Sequence, residues 1–282
     1  MPRFIGKKIS SGLLILVAGL LFSLPAQAAL VELHFCGTST TADDAIPNDG
    51  IDDGPCFQNA FNSGGSDTGY HIPSGMWDII SPSGNLIFKI GASRISIFGD
   101  GNSSILKLGG STTILFGGSG TEDSYVGDFM VIKAPATTAI DHVLNIESTV
   151  RWTVNNIEVR ANCLAAGIKI HDNNGLAQSN GNVVQNVRLV ETRGTTQTTR
   201  GVAIYAGFSN AGSFDNRFLN LIAPATGCGS ESGESAIYEN GNSGGVWDFV
   251  DINTPPDMVL LDIIGASRQI YQRVLTAPGD NT

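Results

Sequence analysis

The sequence predicts an all-β fold, a single-stranded right-handed parallel β-helix with a short N-terminal capping helix. Three observations predict it. Strand-like segments recur roughly every thirty residues. Apolar and polar residues alternate within each segment, as in a strand with one buried face. The stretches between are Gly-, Asn-, Ser- and Thr-rich turns of uneven length, in a chain with 35 Gly among 282 residues.

Two strand types carry the repeat. One runs through Asp128-Phe129-Met130-Val131, Asn156-Ile157-Glu158-Val159, Asn186-Val187-Arg188-Leu189 and Asn220-Leu221-Ile222. The other runs through Leu144-Asn145-Ile146, Ile168-Lys169-Ile170, Val202-Ala203-Ile204 and Ala236-Ile237-Tyr238. Like strands one coil apart stack in parallel, and each coil buries its inner face only against its neighbours. Taking Ile146, Ile170, Ile204 and Ile237 as one inward column, the chain from Tyr70 to Thr282 makes roughly seven coils. A β-sandwich, the competing all-β reading, predicts shorter strand spacing and no registered repeat. Asn156, Asn186 and Asn220 recur at matching places, with Asn182 and Asn216 four residues ahead of two of them. That pattern fits side-chain amides stacked at turns, satisfying backbone groups.

Composition excludes several classes. Charged residues are 15% of the chain and hydrophobic ones 41%, which fits neither a disordered tail nor a multi-span membrane protein. Glycine shows no three-residue period, so collagen is excluded. A net charge of −10 argues against nucleic acid as partner. The N-terminus has basic Arg3, Lys7 and Lys8, an apolar run from Leu13 to Leu24 and the small-x-small site Ala26-Gln27-Ala28. Residues 1–28 thus read as a secretory signal peptide, leaving 29–282 as one domain with no membrane span. About 29–69 form the N-terminal cap and 70–282 the coils. Export to an oxidising compartment lets the four cysteines pair. Cys36–Cys56 and Cys163–Cys228 are the expected pairs, though four cysteines allow three connectivities.

An open solenoid end exposes apolar core and unpaired edges, so it needs a cover. Asp53-Gly54-Pro55-Cys56-Phe57-Gln58-Asn59-Ala60-Phe61 supplies a helix, with Asp53 expected to accept from its first free amides and Pro55 tolerated in the first turn. Phe57, Ala60 and Phe61 then share a face. The strand and turn Tyr70-His71-Ile72-Pro73-Ser74-Gly75-Met76-Trp77 follow. These segments carry a resemblance. Asn48-Asp49-Gly50-Ile51-Asp52-Asp53, then Gln58-x-Ala60-Phe61, then Ile72-Pro73-x-Gly75-x-Trp77, resemble the opening of the pectate-lyase-like superfamily of β-helix proteins. Ile97-Phe98-Gly99-Asp100-Gly101 is similar to the turn that follows there. The resemblance covers about residues 48–108. It implies a coiled fold and a polysaccharide ligand, shared by lyases, hydrolases, epimerases and tailspikes. Ile140-Asp141-His142 resembles an element of some pectate lyases, whose Arg-x-Pro-x-x-Arg pattern is absent here.

The outward residues of the second strand type concentrate chemistry. Glu147, Lys169, His171 and Tyr205 are expected to converge within about 10 Å at ~4.8 Å per coil. Removing a proton beside a uronate carboxylate needs a base and a positive charge, and Lys169, His171 or Tyr205 fits as acid or base. Arg160 and Arg188 are the expected partners of the substrate carboxylate. Hydrolysis needs two carboxylates, for which Glu147 and Asp172 are the expected pair. Tyr205 and Tyr238 make an aromatic platform. The blander reading of the arginines is intercoil pairing with Glu158 and Glu191. No cofactor is required, and Ca²⁺ is the ion that the loop with Asp43, Asp44, Asp49, Asp52 and Asp53 would suit. Asp and Gly in a helix-entry turn explain those aspartates without a metal. The expected function is a secreted lyase or hydrolase acting on an anionic glycan. Its competitor is a non-catalytic, tailspike-like or adhesin-like binding rod. Exposed coil ends favour homo-oligomers.

Overall fold

The computed structural model describes residues 29–33, 45–80, 85–88, 92–135, 140–172, 178–193, 201–207, 215–226, 228, 235–241, 244–254, 259–264 and 269–278. In chain order the strands are β1 (Ala29–Glu32), β2 (Thr68–Ile72), β3 (Gly75–Ile79), β4 (Asn85–Phe88), β5 (Ser96–Gly99), β6 (Ser104–Leu108), β7 (Thr113–Glu122), β8 (Tyr125–Lys133) and β9 (Ile140–Val150). They continue as β10 (Thr153–Arg160), β11 (Ala165–His171), β12 (Val183–Thr192), β13 (Ile204–Gly207), β14 (Arg217–Thr226), β15 (Ser235–Asn240), β16 (Val246–Thr254), β17 (Val259–Ile264) and β18 (Ile270–Pro278). Helix α1 (Gly54–Ser63) lies between β1 and β2.

Two parallel sheets result. The first runs β1-β2-β5-β8-β10-β12-β14-β16-β18, with β3 paired to β6 and β6 to β8. The second runs β17-β15-β13-β11-β9-β7-β4. From β7 onward consecutive strands alternate between the sheets, so each coil adds one strand to each. This is the expected parallel solenoid. The first sheet's register stacks Phe129, Ile157, Val187, Leu221, Val250 and Val274 in one inward column. The column is apolar at every level because the interior between two parallel sheets holds no water to solvate a polar group.

The second sheet differs from expectation by two residues. Ile204 and Ile237 stack on Leu144 and Ile168, not on Ile146 and Ile170. A slip of two preserves which face points inward, because side chains alternate with period two. It therefore leaves the core set intact while changing every outward neighbour. The inward column of Ile146, Ile170 and Ala206 then reaches Glu239, which is fully buried. Its carboxylate accepts from Trp247 Nε1 at 3.1 Å and from the Tyr271 hydroxyl. Trp152 and Trp247 lie fully inside the core.

The asparagine repeat marks a corner. Asp128, Asn156, Asn186, Asn220, Phe249 and Arg273 occupy one level of successive coils, all with φ between 48° and 62°. Asn and Asp tolerate this left-handed region better than other non-glycine residues. Asn156 Nδ2 donates to Asp128 Oδ1 at 2.8 Å, and Asn220 Nδ2 donates to Asn186 Oδ1 at 2.7 Å. A second, buried ladder satisfies the turn ahead of β12. Asn182 Nδ2 donates to Asn216 Oδ1 and to the Thr149 carbonyl, and Asn182 Oδ1 accepts from the Trp152 amide. The amide-ladder reading holds at both places.

Helix α1 covers the first coil with the expected face: Phe57 packs 5.4 Å from Trp77 and Phe61 5.2 Å from Tyr70, centroid to centroid. The cap differs in detail. Asp53 makes no side-chain cap bond; its Oδ2 accepts from the Asp78 amide, and Asp52 Oδ1 takes the Gly54 amide. The carboxylates thus clip the helix to β3. Asp49 Oδ1 accepts from the Ile51 amide in the same loop. Asp43 and Asp44 lie outside the described residues, among which no cluster of three His, Cys, Asp or Glu side chains is placed to hold a metal. Cys163 and Cys228 form the expected disulfide. Cys56 is also disulfide-bonded, while Cys36 lies outside the described residues, as does the signal-peptide segment 1–28. Among the described residues no helix is long and apolar enough to cross a membrane.

The corner ladder yields a stability prediction. Asn186→Ala should destabilise the protein by roughly 1 kcal/mol, losing a ladder bond and an αL-tolerant residue. Phe249→Asn should stabilise it by roughly 0.5–1 kcal/mol, because the exposed phenylalanine holds φ 56°. Denaturant unfolding of the two variants, with opposite signs, checks this.

Candidate active site

The second sheet's outer face carries an open groove of about 360 Å³, lined by Asp141, His142, Asn145 and Glu147 of β9, Lys169 and His171 of β11, and Ser111, Thr113 and Leu115 ahead of and within β7. The register fixes the neighbours: Lys169 lies between Asn145 and Tyr205, and His171 between Glu147 and Gly207. Three expected residues, Glu147, Lys169 and His171, therefore meet in one groove.

Their electrostatics are mutually dependent. His171 Nδ1 lies 2.9 Å from the Asp172 carbonyl, which only an N–H can satisfy. The proton is thereby assigned to Nδ1, and Nε2 keeps its lone pair 3.7 Å from Glu147 Oε2. Burial, reinforced by the Lys169 charge, pushes His171 down to about 4, so the ring is neutral at ordinary pH. Burial also pushes Glu147 up, with Lys169 opposing. Asp141 goes the other way: contact with His142 holds its carboxyl below the usual range against partial burial, helped by Lys169 and His171. Asp141 Oδ2 lies 3.1 Å from His142 Nδ1 and 3.8 Å from Lys169 Nζ.

Other expected site residues are placed elsewhere or used differently. Asp172 is buried, and its backbone carbonyl orients His171. Arg160 and Arg188 belong to β10 and β12 of the first sheet, where Arg160 Nε donates to Glu158 Oε1 at 2.6 Å and Arg188 lies 3.7 Å from Glu158 Oε2. Arg188 thus pairs between coils and Arg160 within its own strand. Tyr205 and Tyr238 stack on each other at 5.0 Å, and Lys169 Nζ stands 5.4 Å from the Tyr205 centroid. The Tyr205 ring is thus engaged by Tyr238 and a cation, and Tyr238 is buried, so the pair steadies Lys169 instead of offering an open platform. Gly207 makes room for this: a Cβ there would lie 2.1 Å from Tyr205 Cε1.

Asp141 is the acidic groove residue that the carboxylate pairing missed. Its signal was present, since Asp141, Asn145 and Glu147 share parity along β9. The strand begins at Ile140, ahead of the segment taken as its core.

The alternation of strands between two in-register parallel sheets defines this chain as a parallel β-helix protein. No family model matches it, and no curated relative does. Among solved structures, it is similar to the catalytic unit of a thermostable GH87 alpha-1,3-glucanase from Streptomyces thermodiastaticus, with 15% identity over 86% of this chain and 47% of that one, at a TM-score of 0.36. A GH87 alpha-1,3-glucanase catalytic domain in complex with tetrasaccharides matches with 15% identity over 86% of this chain and 59% of that one, at a TM-score of 0.36. PfbA, a surface adhesin of Streptococcus pneumoniae, matches with 11% identity over 88% of this chain and 81% of that one, at 0.31. The chain spans 47% and 59% of the two glucanases' lengths.

Gly207→Ala should displace the Tyr205 ring and loosen Lys169. The His171 titration, followed by NMR, should then move up from about 4 towards its ordinary value as the neighbouring positive charge relaxes.

Proposed function

We propose that this protein is an exported, polysaccharide-cleaving enzyme that works by general acid–base chemistry in the groove of the second sheet. The observation that carries this reading is one groove holding two carboxyls displaced in opposite directions, Glu147 upward and Asp141 downward. Environments that split two carboxyls in this way assign an acid and a charged partner. In hydrolysis, Glu147 donates its proton to the glycosidic oxygen as the bond from the anomeric carbon breaks. Asp141, ionised, attacks that carbon or takes a proton from the attacking water. His171 Nε2, a bare acceptor at ordinary pH, faces the Glu147 carboxyl at 3.7 Å. Lys169 sets the charge balance of all three.

The opening motif at residues 48–108 supports kinship with the pectate-lyase-like superfamily. The basic-apolar leader and the disulfide-bonded cysteines support export as a single domain after residue 28. The uronate preference expected from Arg160 and Arg188 loses both residues to Glu158. Elimination on a uronate glycan remains a second reading, favoured by one observation: Lys169 stands beside a neutral His171 whose Nε2 is free to take a proton.

Purified protein incubated with neutral and acidic polysaccharides tests both readings. Hydrolysis releases reducing ends without unsaturated product; elimination releases both together. Glu147→Gln should lower the hydrolytic rate about 10²–10⁴-fold. The wild-type rate should fall as pH drops through about 4, where His171 takes a proton, and fall again as pH rises through the elevated Glu147 value. The Gln variant should lose the alkaline limb. Binding without cleavage of any polysaccharide would overturn the enzyme reading in favour of a recognition rod.

A further inference from the structure

We infer that the floor of the groove is a hydroxyl-recognition subsite built on His142, and that the sugar seated there is neutral and not a uronate. The inference rests on the groove being the glycan site proposed above, and it names the class of glycan.

The argument starts from an unsatisfied group. His142 is 2% exposed, lines the groove, and has no hydrogen-bond partner at either ring nitrogen among the described residues. Nδ1 lies 3.1 Å from Asp141 Oδ2, close but outside hydrogen-bonding alignment. A ring nitrogen facing an ionised carboxylate carries the proton. Nε2 is therefore the bare nitrogen, an acceptor without a donor. Buried acceptors are almost always paired, and leaving one open destabilises a fold. Among the described residues none donates to it: Tyr205 meets the imidazole edge-on, 5.8 Å between centroids, and Lys169 is turned towards Asp141 and the Tyr205 ring. A ligand in the groove can bring one.

An uncharged sugar fits the position better than a uronate. A uronate has hydroxyls of its own, but its carboxylate has no proton to give at neutral pH and would lie beside Asp141, whose charge is stabilised. A sugar hydroxyl fits both neighbours, donating to His142 Nε2 and, through a second hydroxyl, to Asp141. Asn145, whose Nδ2 donates to Thr113 Oγ1 at 3.1 Å, adds a polar wall without charge.

The test pairs affinity with stability. Oligosaccharides of equal length, one of neutral hexoses and one of uronates, are titrated into the wild-type protein and His142→Leu. The wild type should bind the neutral chain at least tenfold more tightly than the uronate. His142→Leu should lose roughly tenfold to a hundredfold in affinity for the neutral chain. The same variant should melt no lower than wild type, because a buried orphan acceptor has been replaced by an apolar side chain. A merely structural histidine would give the reverse, unchanged affinity and a lower melting point, and that result overturns the inference. Tighter uronate binding, or binding of neither chain, also overturns it. Should His142→Leu fail to fold, the ¹⁵N shift of His142 Nε2 in the wild type decides: it moves on addition of the neutral chain if the subsite exists and stays fixed if not. Neutral binding lost in His142→Leu, with no cleavage of any polysaccharide, would retain the subsite while removing the catalytic reading.

Discussion

The in-register parallel ladder between coils is the constraint on which everything else in this molecule depends. Strand amides are satisfied by the coils beside them, and side chains at one level must therefore stack on their own kind. Apolar residues form continuous inward columns such as Phe129-Ile157-Val187-Leu221. Corners obey the same rule. A bend at one level forces a left-handed residue at that level in every coil, and Asn and Asp fill four of the six described positions. Their amides then bond to each other along the axis, so a local conformational demand becomes a longitudinal ladder.

The same ladder builds the site. Parallel stacking places outward residues of β9 and β11 one strand spacing apart, close enough for each charge to act on the next. Lys169 illustrates the consequence: held by Asp141 and the Tyr205 ring, it pushes His171 down and restrains the rise of Glu147. Within one groove Glu147 is thus shifted up while Asp141 and His171 are shifted down. Tyr205 is in turn seated over Gly207 and stacked on Tyr238, so residues two strands away help to fix the acid–base balance.

The groove floor also differs from the ladders of the core. There Asn182 and Asn216 satisfy turn amides, and Glu239 bonds Trp247 and Tyr271. His142 lines the groove with both ring nitrogens unpartnered among the described residues. A buried ring left open against a groove has the pattern of a site whose last partner arrives with the ligand.

The sequence by itself determined the solenoid, the inward face of each strand, the corner asparagines and the helical cover. Each follows from local chemistry repeated at a period, which a linear reading detects. It also marked Glu147, Lys169 and His171 as outward residues of neighbouring strands. Only the tertiary structure decided the register of β13 and β15, and with it that Tyr205 lies beside Lys169 and not beside His171. Period-two alternation is blind to a slip of two, since both registers bury the same face. The choice is made by turn lengths and by packing of Ile204 and Ile237 on Ile168 and Leu144, which no single segment encodes. The same blindness separated Arg160 and Arg188 from the groove: alternation says that a residue points outward, but only the closed coil says from which sheet.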